Sequence, residues 1–119
     1  MNIVIIEDEA IAAERLYAML KKIDENVNLL AQPDSVKSSV EFLKNTNEKI
    51  DLIFLDIQLS DGLSFEIFDK VTITGPVVFT TAYDQYAIKA FKLTSIDYLL
   101  KPIKKRRIST SHREIQIAF

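Results

Sequence analysis

Four residues able to do chemistry stand at the ends of four apolar runs: Asp8, Asp56, Thr81 and Lys101. The runs are IVIIED (3–8), LIFLD (52–56), VVFTT (77–81) and DYLLKP (97–102). If these are parallel neighbouring strands, their C-terminal ends share one edge of a sheet, where open α/β sheets place their ligands. Carboxylates, a hydroxyl and an ammonium then meet in one crevice. Such a set suits a divalent cation and a phosphoryl group bound side by side. Hard oxygen donors favour Mg²⁺ or Mn²⁺; Mg²⁺ takes one or two carboxylates plus phosphate oxygens and keeps several waters.

Each residue also has a plainer role. Glu7-Asp8-Glu9 can serve the positive end of the next helix as well as a cation. Asp56 is the stronger signal, because four apolar residues precede it and packing gives no reason for a carboxylate there. Lys101, followed by Pro102, can reach towards a phosphate as a point charge or pair with Asp56 or Asp8, and the two roles are compatible. Thr81 offers a hydroxyl, whereas Thr80 faces the other side because strand side chains alternate. Threonine is common in strands in any case. His112, the single histidine, lies in a polar tail and reads as a solvated side chain. Phe54 and Phe79 read as core, and Tyr83 and Tyr86 as partly buried.

Strand and helix patterns alternate along the chain and must position these groups. An apolar start at 2–7 precedes Ala12, Leu16, Met19 and Ile23 at helical spacing within 10–23. A short strand near 28–32 follows. Asp34 or Ser35 can cap a second helix facing inward with Val36, Val40 and Leu43. The run 52–56 is apolar throughout, as in a strand buried on both faces. Ser64 can cap a third helix with Phe65, Phe68 and Val71, and Gly75-Pro76 breaks the chain before 77–81. Asp84 can cap a fourth helix with Ala87, Ala90 and Phe91 inward, and 97–100 is a fifth strand. The alternation predicts an α/β fold with a parallel sheet and helices on both faces. Periodicity leaves the strand order open.

The chain has 119 residues, one domain's length, and no cysteine, which excludes disulfides and thiolate zinc sites. No apolar run approaches the ~18 residues of a membrane span, and no basic leader precedes the first strand, so a cytoplasmic protein without a membrane partner is expected. Residues 1–100 carry 9 basic and 16 acidic side chains, and residues 101–119 carry 6 and 1. Lys104-Lys105-Arg106-Arg107 could meet nucleic acid or an acidic partner, but a solvated helix start or linker explains four charges better. The tail 103–119 reads as a last helix through Ile108, Ile115 and Phe119, or as a frayed or strand-like extension, since Ile-Ser-Thr-Ser is a poor helix centre.

Together, Glu7-Asp8, Asp56, Thr81-Ala82, Tyr98 and Lys101-Pro102, in this order and spacing over residues 2–103, resemble a response-regulator receiver domain. FLDIQLSDG, FTTAYDQYAIKAF and IDYLLKPI most resemble the receivers of LytTR-type (LytR/AlgR) response regulators. The resemblance implies a doubly wound, flavodoxin-like five-stranded parallel sheet in the order 2-1-3-4-5. It implies one receiver domain over 1–119, with 103–119 its last helix or the start of a linker. Asp56 would be the phosphoacceptor, taking a phosphoryl group from a sensor histidine kinase. Asp8, Asp56 and the backbone carbonyl of Gln58 would hold Mg²⁺ (or Mn²⁺), with Glu7 acting through water. Thr81 and Lys101 would bind phosphoryl oxygens, and Tyr98 would be the aromatic switch answering Thr81. The face of the fourth helix, fifth strand and fifth helix would be the readout and a possible homodimer surface. DNA would be reached only through an output domain that residues 1–119 lack.

The pattern departs from the family at three places. Glu7 stands where many receivers have aspartate. Leu59-Ser60 replaces a common Met-Pro, with Gly62 two places ahead of the usual glycine and Ser64 in its place. The third is the basic tail. On this reading the chain is a phosphoacceptor switch and not a turnover enzyme. Two alternatives are a stand-alone adaptor or phosphorelay module working by protein contacts, and a Mg²⁺-dependent phosphatase using Asp56 as nucleophile. Haloacid-dehalogenase-type phosphatases carry an acid two positions after the nucleophile; here Gln58 stands there, which disfavours that alternative.

Overall fold

The apolar runs become strands, and each finds a parallel neighbour. The computed structural model describes residues 1–73, 75–82, 95–101 and 103, with the backbone alone at 95–98 and 100. Its elements are β1 (Asn2–Ile6), α1 (Ala10–Ile23), β2 (Asn28–Ala31), α2 (Val36–Asn45), β3 (Leu52–Asp56), β4 (Gln58–Leu59), β5 (Gly62–Leu63), α3 (Phe65–Lys70), β6 (Val77–Thr81) and β7 (Ser95–Leu100). Five strands form one parallel sheet in the order β2-β1-β3-β6-β7. With β6 and β7 as its fourth and fifth strands, this is the expected 2-1-3-4-5 order, and β3 lies at its centre between β1 and β6.

Alternation along the central strands feeds two cores. Ile3, Ile5, Phe54 and Val78 pack with Ala13, Leu16 and Leu20 of α1 on one face. Val4, Ile6, Ile53, Leu55 and Phe79 pack with Val36 of α2 and with Phe65 and Ile67 of α3 on the other. Phe79 lies 5.5 Å from Phe65 and 6.1 Å from Phe68, centroid to centroid. Strands buried on both faces must be apolar at every position, which is why β3 and β6 read as unbroken runs. Among the described residues, no helix is long and apolar enough to cross a membrane.

Several details differ from expectation. The inward stripe of α1 centres on Ala13, Leu16 and Leu20, and Met19 and Ile23 pack at its margin. Both sets lie within one apolar stripe roughly 100° wide, so spacing alone could not fix its centre. In α3, Ile67 is fully buried and Val71 is already past the helix end. Ser35 caps α2, its hydroxyl accepting from the Ser38 N–H in a capping box. Ser64 does not cap α3: it is helical (φ −62°, ψ −18°) and its side chain takes no cap bond. The loop after Asp56 holds an unforeseen antiparallel hairpin, β4–β5. The fourth helix after Asp84, Tyr83, Tyr86, His112 and the basic tail lie outside the described residues, as does the Tyr98 side chain.

Candidate functional site

Three parallel strands deliver three carboxylates and one ammonium to a single edge of the sheet. Pairing of Ile6 with Leu55 and of Asp56 with Thr80 brings the ends of β1, β3 and β6 level. Beyond β1 the chain turns through Glu7 and Asp8. The Glu7 N–H donates to the Pro33 carbonyl at 3.0 Å, tying this turn to the segment before α2. The Glu7 carboxylate accepts from the Glu9 N–H at 3.3 Å. Glu9 occupies the position before α1, but its side chain makes no cap bond.

Lys101 follows β7, and its N–H donates to the Thr81 carbonyl at 2.7 Å. From there its Nζ reaches Glu7 Oε1 at 2.5 Å and Asp56 Oδ2 at 3.0 Å. The ion pair with Asp56 is as expected; the second partner is Glu7, where Asp8 was the alternative. Glu7 and Asp56 are buried to 5% and 8% side-chain exposure, whereas Asp8 is exposed. Ligand oxygens of Glu7, Asp8 and Asp56 all lie within 4.8 Å of one another.

The electrostatics favour another cation. Burial raises the Glu7 pKa above its usual value, the Asp56 carboxylate adds to this, and Lys101 only partly offsets it. Asp8 is also raised, first by burial and then by Glu7 beside it. For Lys101 burial pulls downward, but its bonds to Glu7 and Asp56 outweigh that and the pKa is raised. Among the described residues, three carboxylates thus face one ammonium. An all-oxygen, electron-rich cluster open to solvent at Asp8 fits a hard divalent ion that keeps part of its water shell.

Of the sequence candidates, Glu7, Asp8, Asp56 and Lys101 come together. Thr81 is buried at the end of β6, one residue beyond the register partner of Asp56, and touches Lys101 through the backbone bond. Thr80 lies on the α1 face and lines a cleft of about 250 Å³ with Ile5, Glu7, Leu16 and Lys101. Gln58 opens the hairpin, whose base is closed by the Ser64 N–H on the Ile57 carbonyl at 2.8 Å. Tyr98 pairs through its backbone with Phe79. Asp61, which no sequence pattern singles out as a site residue, sits at the hairpin tip and accepts from the Val36 and Lys37 N–H groups at 2.7 and 3.0 Å. The Asp-Gly pair at 61–62 signals a turn, but not where that turn docks.

Comparison with known proteins agrees with this geometry. A family model described as the response regulator receiver domain matches residues 3–113. The sensory transduction protein LytT of Bacillus anthracis is 39% identical over 111 residues, spanning 91% of this chain and 44% of that protein. LytR of Streptococcus mutans is 36% identical over 124 residues, spanning 98% and 48%. The chain thus spans less than half the length of these curated relatives. Among solved structures, the response regulatory domain of mrkE from Klebsiella pneumoniae superposes with a TM-score of 0.83 at 30% identity, covering 99% of this chain and 97% of that one.

Proposed function

The chain belongs to the response regulator receiver domain family, and from that premise we propose that it is a phosphorylatable, Mg²⁺-dependent switch with Asp56 as acceptor. The observation carrying this reading is the Lys101 ammonium held between buried Asp56 and Glu7, with Asp8 alongside. Phosphoryl transfer depends mainly on in-line positioning and charge neutralisation. An Asp56 oxygen attacks the phosphorus of a phosphohistidine on a sensor kinase. The O–P bond forms, the P–N bond breaks, and the imidazole leaves with the electron pair and is protonated. Lys101, already 3.0 Å from Asp56, holds the carboxylate in place and then meets phosphoryl oxygens. Asp8, Asp56 and the Gln58 carbonyl would hold Mg²⁺, with Glu7 acting through water. When bound, the ion would neutralise the charge that builds on the phosphoryl oxygens.

The acyl phosphate places roughly −1.5 to −2 charges in the crevice, by analogy with phosphorylated hydroxyls. The Thr81 hydroxyl donates to a phosphoryl oxygen, and Tyr98 on β7 responds to the move. A local charge event thereby biases the face built on β7, the readout and possible dimer surface. Relatives twice as long suggest a cytoplasmic transcription regulator in which 1–119 is the receiver, 103–119 leads onward, and DNA is contacted by an output domain. The test is intact mass after incubation with acetyl phosphate. One Mg²⁺-dependent phosphate adduct, lost in Asp56→Asn, is expected. No adduct on folded wild type would overturn the proposal.

A further inference from the structure

The two chain segments expected to hold the cation are joined by a second route, away from the cation itself. Asp56 leads through Ile57 into the β4–β5 hairpin that carries Gln58. At the hairpin tip, Asp61 Oδ1 accepts from the Val36 N–H at 2.7 Å and Oδ2 from the Lys37 N–H at 3.0 Å. These are among the first four N–H groups of α2, which have no partner within the helix. Ser35 satisfies a third, that of Ser38, at 3.0 Å. Just before this cap, the Pro33 carbonyl accepts from the Glu7 N–H at 3.0 Å. The circuit therefore runs from Asp56 through the hairpin to α2, back through residues 33–35 to Glu7 and Asp8, and across the carboxylate cluster to Asp56.

We propose that Asp61 is a positioning residue for the metal and phosphoryl site, clasping the hairpin to α2 so that the Gln58 turn is fixed against the Glu7–Asp8 turn. The inference rests on the phosphoryl-switch reading above. Bonds from N–H groups to a carboxylate at the positive end of a helix are stronger than neutral ones. The lowered Asp61 pKa, due chiefly to the Val36 N–H, agrees with a carboxylate held ionised there. Asp61 closes the circuit across 25 residues of sequence, whereas Ser35 caps α2 from within its own segment. Removing either weakens the helix start, but only Asp61 connects the hairpin.

The test is Mn²⁺ binding to the purified chain, read from the electron paramagnetic resonance signal of the free ion. Asp61→Ala is expected to raise the Kd about tenfold, the low end for outer partners of metal ligands. Asp61→Asn, which keeps one acceptor oxygen, should fall between Asp61→Ala and wild type. Ser35→Ala should lower the Tm yet bind Mn²⁺ as wild type does. Wild-type affinity in Asp61→Ala, or equal weakening in Ser35→Ala, overturns the positioning role. If circular dichroism shows Asp61→Ala unfolded, Asp61→Asn decides: weaker binding than Ser35→Ala supports the role, and equal binding overturns it. Wild type that binds no Mn²⁺ refutes the switch reading and this inference with it. Binding in wild type with no effect at Asp61 refutes the inference alone.

Discussion

At Glu7 and Asp8 the fold crowds carboxylates together; at Asp61 it gives one carboxylate two backbone donors. The two cases titrate in opposite senses. The pKa values of Glu7 and Asp8 lie above their usual 4.5 and 3.8, so the folded state holds these protons more tightly than the unfolded chain. Their ionisation costs stability, which falls as pH rises from the usual values through the raised ones. Asp61 lies below its usual 3.8, so its contribution is present above that value and lost as pH falls through the lowered one. Lys101 is raised above 10.5, so its contribution is constant through the neutral range and lost only in strong alkali. Without divalent cations, urea unfolding should therefore show lower stability at neutral pH than just above the usual values of 4.5 and 3.8. Mg²⁺ should remove much of that difference, and Asp8→Asn should be more stable than wild type at neutral pH without the ion. Stability that climbs steadily from there to neutral pH would contradict the assignment. Ser64 gives a second residue-scale prediction. Its Oγ is buried with no hydrogen-bond partner among the described residues. Leaving a hydroxyl unsatisfied costs about 1–3 kcal/mol, so Ser64→Ala should be neutral or up to about 1–2 kcal/mol more stable by urea midpoint; a clear loss would reveal a partner.

The hairpin after Asp56 is the element that sequence reading missed, and its length explains why. Two-residue strands are too short to show a period, so 58–63 read as loop. The sheet strands were legible for the converse reason: burial on both faces forces every residue to be apolar. The displaced glycine now has a physical explanation. Gly62 has φ +148°, a conformation other residues adopt only under strain, whereas Ser64 is in an ordinary helical conformation. The need for glycine has moved with the hairpin. Gly62→Ala should therefore cost about 1–3 kcal/mol in thermal or urea unfolding. An added Cβ would also meet the Glu66 carboxylate, but that is the far end of a flexible side chain. The loss should thus persist in a Glu66→Ala background; full recovery there would show that crowding, not backbone conformation, sets the cost.

Over the whole molecule, the site was legible because its residues break the rule that makes the strands. Asp56 ends a run with no other polar group, and Lys101 follows Leu99-Leu100 and precedes Pro102, so each stood out before any topology was known. The identity of the second Lys101 partner was not legible. That depends on how the turn after β1 is held by Pro33, a contact between segments that no local pattern records. Nor could spacing reveal that Asp61 joins the hairpin to the start of α2. What the parallel order β2-β1-β3-β6-β7 accomplishes is to set an acidic turn, a buried carboxylate and an ammonium at one edge. The most direct measurement is to load the chain from acetyl phosphate with Mg²⁺, reduce the acyl phosphate with borohydride, and map the resulting homoserine by peptide mass. Conversion at Asp56 alone is the predicted result. Conversion at another acidic residue, or none in a chain shown to be folded and Mg²⁺-bound, would contradict it.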